Sequence, residues 1–310
     1  MGPAGRRKIF SALDLLALVL VVAGAIGGGP DAWGAPITFN TALPVAKGEF
    51  VFREQFIVAQ SGDDPSGADR ERTALAAVSV LGYGISGKLA VFGVLPFVDK
   101  QLDVTVAGAR QKRSASGLGD VSLFGRYTVY QRDKPGRNFR IAPFAGLQAP
   151  TGKDDETDAL GRLPPSVQPG SGAWDAFGGV VATYQTLDFQ VDGQLSYRGN
   201  GEANNFEAGD VARLDGSLQY RLWPRTLGAG VPGFLYGVLE AGLVYQDNNQ
   251  LGGIDDPNSG GTRLFLTPGL QYVTKRWIVE GGVQLPVAQN LNGSALENDY
   301  VVRAGFRFNF

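Results

Sequence analysis

The strongest constraint on this chain is an alternation. From about residue 48 to the end, apolar and polar side chains take turns, the period of a strand whose two faces meet different surroundings. In the last strand Tyr300, Val302, Ala304, Phe306, Phe308 and Phe310 share one face, and Val301, Arg303, Gly305, Arg307 and Asn309 share the other. Leu187, Phe189, Val191, Gly193, Leu195 and Tyr197 repeat the pattern, as do Ala212, Leu214, Gly216, Leu218, Tyr220 and Leu222. The alternation predicts about twelve strands, near 48–60, 72–85, 88–102, 117–131, 138–149, 173–185, 188–198, 210–223, 234–246, 262–274, 276–288 and 298–310.

The connections sort by length. Ser86-Gly87, Thr186-Leu187 and Lys275-Arg276 are tight, with longer ones at 132–137 and 224–233. The intervening connections 61–71, 103–116, 150–172, 199–209, 247–261 and 289–297 are long and polar. Short turns at one end and long loops at the other is the layout of a transmembrane barrel, with turns in the periplasm and loops outside. The expected fold is therefore all-β, a transmembrane antiparallel up-and-down β-barrel of about 12 strands. A soluble sandwich would also alternate, but its strands average ~5–6 residues, and it has no reason to sort connections by end. A solenoid would need a fixed repeat, which is absent from the sequence.

Residues 1–34 read as a signal peptide, with 35–310 forming the barrel. Arg6, Arg7 and Lys8 precede the apolar run Leu15 to Ile26, and Ala32-Trp33-Gly34-Ala35 supplies small residues on both sides of a cleavage point after Gly34. The apolar run is short of the ~20 residues a helical span requires. Composition removes many chemistries: the 310 residues include no histidine and no cysteine. Serine-histidine triads, cysteine nucleophiles, histidine or cysteine zinc sites and disulfides are all excluded. With 28 basic against 30 acidic residues, the chain also lacks the basic excess of a nucleic-acid binder. No catalytic residue, cofactor or metal site is expected, and the chain reads as a non-enzyme.

A charge on the lipid face costs ~2–4 kcal/mol at mid-bilayer, so charged residues on the polar face should line the lumen. The alternation places Asp120, Arg126, Arg140, Asp188, Asp192, Arg198, Arg213, Asp215, Arg221, Arg263, Glu280, Arg303 and Arg307 there. Antiparallel pairing suggests Asp188 opposite Arg221 and Glu280 opposite Arg307. Tyr127, Tyr184, Tyr197, Tyr220, Tyr245, Tyr272, Trp277 and Tyr300 lie toward strand ends on the apolar face, as aromatic girdles do. The acidic runs Asp154, Asp155, Glu156, Asp158 and Asp255, Asp256 fit solvated loops better than a cation site, since their spacing matches no EF-hand. Gly146 to Lys153 fails as a phosphate loop, because Asp154 stands where Ser or Thr is needed.

Three short stretches then carry a resemblance. Gly117-Leu118-Gly119-Asp120 enters a strand, Gly146-Leu147-Gln148-Ala149-Pro150-Thr151-Gly152 ends one, and Gln168-Pro169-Gly170-Ser171-Gly172 restarts one. With the terminal Phe310, which resembles the insertion signal of bacterial outer-membrane proteins, these stretches are similar to the outer-membrane family named for the meta-cleavage pathway of phenol degradation. The resemblance covers roughly residue 40 onward. It implies a Gram-negative outer-membrane channel or transporter for small, hydrophobic or aromatic molecules. The polar face adds a narrow lumen, constricted by the 150–172 loop. Implied partners are membrane lipids, lipopolysaccharide, the insertion machinery and a small solute. The alternative from another class is a non-transporting structural or adhesion barrel whose outer loops bind a partner.

Overall fold

The computed structural model describes residues 34–226 and 233–310. The signal-peptide reading of residues 1–34 thus falls outside the described residues except for Gly34. Twelve wall strands are found among the described residues, and no helix. They are β1 (Phe50–Ser61), β2 (Glu71–Gly84), β3 (Leu89–Val106), β4, β5 (Arg137–Ala149), β6 (Asp175–Thr186), β7 (Phe189–Gly199), β8 (Val211–Trp223), β9 (Phe234–Gln246), β10 (Gly261–Val273), β11 (Trp277–Leu291) and β12 (Tyr300–Asn309). Strand β4 comes in three pieces, Ala109–Leu118, Val121–Tyr127 and Tyr130–Lys134. Each strand pairs antiparallel with its sequence neighbours, and β12 returns to β1 over Val51↔Asn309 to Gln60↔Tyr300. The ring has no open edge at that seam, so ladder N–H and C=O groups in the bilayer find partners in the wall.

The alternation explains which side each residue takes. Leu123, Leu214, Leu218, Leu239 and Leu270 are exposed on the outside, where lipid would cover them. Their neighbours Ser122, Asp215, Ser217, Gln219, Glu240 and Gln271 are buried inside. Tyr127, Tyr197, Tyr220, Tyr245 and Tyr300 lie on the outer face near strand ends. One exception is Glu54, which sits between the inward Arg53 and Gln55 and therefore faces outward. Its carboxylate accepts a hydrogen bond from the hydroxyl of Ser79 at 2.6 Å.

The stretch 103–116, read from sequence as a long loop, departs from that expectation. Strands β3 and β4 continue as a hairpin in unbroken register from Phe97↔Leu118 to Val106↔Ala109, turning through Ala107 and Gly108 at positive φ. Both faces of this hairpin carry polar residues, Asp103, Arg110 and Lys112 on one and Gln111 and Arg113 on the other, so no apolar alternation marks it.

The three glycine-rich stretches meet at one point near the long-loop end. The Asp120 carboxylate accepts the backbone N–H of Gly152 at 2.8 Å and of Ser171 at 2.7 Å. Gly152 and Gly170 lie so close that a Cβ on Gly170 would sit 2.4 Å from the Gly152 carbonyl oxygen. The 150–172 loop is thereby drawn over the hairpin, where Leu163 and Val167 pack with Leu102, Val104 and Ala115. Lys100 Nζ donates to the Gln168 carbonyl at 2.6 Å.

The long loops are joined in series. Arg113 binds Asp158, Asn204 binds Asp154, and Gly209 N–H donates to Asn249. Asn292 binds Asn248, Arg70 reaches the Ser294 carbonyl, and Thr105 N–H donates to the Ala68 carbonyl. In the first loop Arg70 donates to Asp64 through Nε at 3.0 Å and Nη2 at 2.6 Å. The guanidinium holds the Asp64 carboxyl well below the usual carboxylate range.

Replacing Asp120→Ala leaves two enclosed N–H groups without their acceptor, at a cost of about 1–3 kcal/mol each. The expected result is a lower urea midpoint for the barrel in lipid vesicles, read by gel mobility. The Asp64 clasp gives a pH expectation. Its folded pKa is depressed, so its contribution is present above the unfolded value of about 3.9 and is lost as pH falls below it. Hydrogen exchange in 62–70, corrected for intrinsic rates, should hold steady from pH 7 to 5 and rise below about pH 4.

Candidate functional site: the barrel lumen

The 150–172 loop lies on the inward face of the β3–β4 hairpin at the long-loop end. The lumen is crossed by the residues that precede β1. Residues 34–43 run inside the wall with Ala35, Ile37, Phe39, Ala42 and Leu43 all buried. This segment forms no ladder with any strand, so its backbone polar groups must be satisfied by other means. Lumen side chains supply them. Glu240 accepts the N–H of Ile37 at 2.6 Å and of Thr38 at 3.0 Å, and the Thr38 hydroxyl at 2.5 Å. Gln194 accepts from Asn40 N–H, and Thr183 Oγ1 accepts from Ala42 N–H at 2.8 Å. The carbonyls are met by donors. Arg53 Nη2 donates to Ile37 at 2.6 Å, and Gln55 Nε2 to the same oxygen at 2.9 Å. Arg126 donates to Thr41 and Leu43, each at 2.6 Å. Pro36 has no N–H to satisfy.

The path is an arch. Glu240 lies midway along β9, whereas Gln190 and Gln271, which border Gly34, lie near the short-turn ends of β7 and β10. The other foot turns at 44–48, also at the short-turn end, where Gly48 N–H donates to the Gly84 carbonyl. A Cβ on Gly84 would stand 2.0 Å from the Ala46 carbonyl oxygen, so only glycine admits the crossing.

The lumen wall has two unlike halves. Strands β3 to β6 contribute an apolar cluster of Ala90, Phe92, Phe124, Ala142, Phe144 and Val181, with Phe177 packed against it. Phe92 and Phe124 stack with centroids 4.7 Å apart, and the Arg126 guanidinium lies 4.9 Å over the Phe92 ring. Strands β7 to β11 contribute Asp192, Gln194, Asp215, Ser217, Gln219, Glu240, Gln271 and Glu280. Between the arch and the apolar half a cavity of about 1010 Å³ remains, bordered by Phe92, Phe124, Val80, Val94, Arg126 and Arg307. Its lining includes Gly87, Lys134, Gly136 and Leu187, so it reaches the short-turn end.

The residues expected to line the lumen distribute as follows. Arg126, Asp192, Asp215, Arg221 and Glu280 are buried inside the wall. Arg198, Arg213, Arg263, Arg303 and Arg307 share inward positions and are partly buried. Asp188 departs from the expectation: its side chain is 66% exposed at the short-turn rim, beyond the end of β7, though it does pair with Arg221 at 2.5 Å. Glu280 does not pair with Arg307. The register sets Glu280 opposite Gly305 and Ile278 opposite Arg307, two residues from the expected match, and Glu280 binds Arg53 at 2.6 Å instead. Arg213 pairs with Asp215 at 2.8 Å, and Arg303 donates to Gln55 and Gln284. The acidic loop residues are each drawn to separate partners, Glu156 to Lys153, Asp154 to Arg162 and Asp158 to Arg113. Among the described residues no cluster could hold a metal ion. The sequence reading missed Arg53, Gln55, Thr183, Gln194, Glu240 and the arch itself. The signal available was Pro36 and Pro44 bracketing a non-alternating, largely uncharged run.

A family model described as "Putative MetA-pathway of phenol degradation" matches residues 65–290. No curated protein matches the chain. Among solved structures, the COG4313 outer membrane channel from Pseudomonas putida F1 aligns with a TM-score of 0.64 at 12% identity, over 92% of this chain and 100% of that one. The β-domain of the Bordetella autotransporter BrkA aligns at 0.49 and 15% identity, over 85% and 100%. The CymD monoaromatic hydrocarbon channel aligns at 0.40 and 12% identity, over 92% and 95%.

Arg126 holds two carbonyls of the arch, those of Thr41 and Leu43. Arg126→Ala should loosen its 41–43 foot and at least double single-channel conductance in planar bilayers. An unchanged conductance from a correctly folded barrel would show that this foot does not limit the lumen.

Proposed function

Because the chain belongs to the outer-membrane family of the phenol-degradation pathway, we propose that it is a passive channel for small aromatic molecules in the Gram-negative outer membrane. The observation that supports this reading is the split wall. A wide water-filled pore would be polar all round. Here Phe92 and Phe124, backed by Phe144 and Phe177, line one side of a cavity large enough for a one-ring or two-ring solute, and aromatic pairing adds about 0.5–1.5 kcal/mol per contact beyond area burial. Arginine guanidiniums on the facing side suit the polar group that a phenol or an aromatic acid carries. The charged lumen positions named above then act in two ways: Arg53, Arg126, Asp192, Glu240 and Glu280 hold the arch, while Arg307 faces the cavity.

Passage requires the arch to shift, since it spans the lumen at rest. No chemical step is involved, and no cofactor is called for. Under the same reading the insertion machinery recognises the strand that ends in Phe310, and lipopolysaccharide surrounds the outer loops.

Channel and structural barrel are separated by current recordings with added solute. The barrel should conduct in discrete steps, and phenol or benzyl alcohol at the short-turn side should block the current where glucose does not. Phe124→Ala should raise the blocking concentration about tenfold, equivalent to about 1.4 kcal/mol. A folded barrel that stays silent, or one blocked equally by glucose, would overturn the assignment.

A further inference from the structure

Charge pairing in the lumen is incomplete in one place. Asp192 and Glu240 are each about 1% exposed. Asp192 accepts hydrogen bonds from Thr41, Thr183, Gln190 and Gln219, and Glu240 from the arch and Ser217. Among the described residues neither makes an ion pair, whereas Glu280 and Asp215 each hold an arginine. A buried carboxylate without a cation is costly.

The end of the arch lies against three glutamines that contact the lumen carboxylates. Gln190 and Gln219 turn their amide N–H groups to Asp192, and Gln271 turns its own to Glu280 at 2.8 Å. Their carbonyl oxygens border Gly34 and Ala35, although Gln190 Oε1 already accepts from Gln185 Nε2 at 3.0 Å and Gln271 Nε2 also donates to the Ala35 carbonyl at 2.9 Å. Gln271 Oε1 accepts from Ala35 N–H at 3.4 Å. Measured from the place a Cβ on Gly34 would occupy, Gln219 Oε1 is 2.7 Å away, Gln271 Oε1 3.2 Å and Gln190 Oε1 3.9 Å. Gln219 is 1% exposed, and its Oε1 has no hydrogen-bond partner. An orphaned acceptor from Gln219, a second from Gln271 that already reaches the Ala35 nitrogen, and a third from Gln190 that is shared with Gln185 describe a site for a small cation with several N–H donors.

We propose that this cage receives the α-ammonium group created when the Gly34–Ala35 bond is hydrolysed. Water supplies the atoms: the C–N bond breaks, hydroxide joins the Gly34 carbonyl carbon, and hydrogen joins the Ala35 nitrogen. The new amine, with an ordinary pKa of about 7.7–8.0, takes a further proton from solvent. A neutral peptide N–H becomes a cation with three donors, 3.4 Å from Gln271 Oε1, with Glu240 holding the N–H of Ile37 two residues on and Asp192 behind the Gln190 and Gln219 amides. Removal of the leader is thus the step that locks the arch in place. The inference holds whatever solute the barrel passes.

The test uses the mature barrel purified from membranes in detergent. Intact mass should place its first residue at Ala35. An amine-acetylating reagent followed by peptide mapping should modify the Ala35 α-amine at least tenfold more slowly in the folded barrel than in denatured protein. The exposed Lys47 serves as the reference that reacts at similar rates in both. Gln219→Leu, which removes the orphan acceptor, should restore α-amine reactivity while heat-modified gel mobility still reports a folded barrel. A mature chain starting at another residue, or an α-amine equally reactive in folded and denatured protein, would overturn the proposal. So would a folded Gln219→Leu barrel whose α-amine stays protected.

Discussion

Inside a bilayer every backbone N–H and C=O needs a partner within the protein. The closed ring of twelve strands satisfies that demand for the wall, and the seam between β1 and β12 completes it. The segment threaded through the ring cannot use the same solution, because no wall strand has a free edge facing inward. Its partners are side chains instead. Glu240, Gln194 and Thr183 accept its N–H groups, while Arg53, Gln55 and Arg126 donate to its carbonyls. Much of the lumen's polarity is thus committed to one short stretch of chain before any solute arrives.

That commitment gives the wall its asymmetry. Polar residues concentrate on β7 to β11, where the arch needs them, and the opposite half is left with Phe92, Phe124, Phe144 and Val181. A cavity with rings on one side and guanidiniums on the other is a consequence of how the arch is held. Discrimination between solutes and closure of the lumen are therefore set by facing surfaces of the same compartment.

Much of this was legible in the sequence, for identifiable reasons. Alternation reports on any strand with fat on one face and polar lumen on the other, which is why β6 to β12 fall close to their expected limits. It fails where both faces are wet, so the tip of the β3–β4 hairpin read as a loop. Asp188 does meet Arg221, although β7 and β8 are joined by the long 199–209 connection. The long loop between β11 and β12 does not fix register, and the expected Glu280–Arg307 match slips by two residues. Arg53 was invisible as the partner of Glu280, because β1 and β11 become neighbours only through β12. The arch carries no periodicity at all. Its conformation is dictated by distant side chains such as Glu240 and Arg126, and a local pattern cannot encode such a partner.

Both feet of the arch stand at the same rim, and this fixes the side from which it can be worked. The thirteen residues from Ala35 to Lys47 would reach at most about 45 Å if pulled straight. With the leader removed as proposed, that is a tether long enough to hang clear of the barrel while still rooted at Gly48. Nothing need be carried through the wall to draw it out. In barrels of this layout the short turns face the periplasm, so the segment is reached from that side.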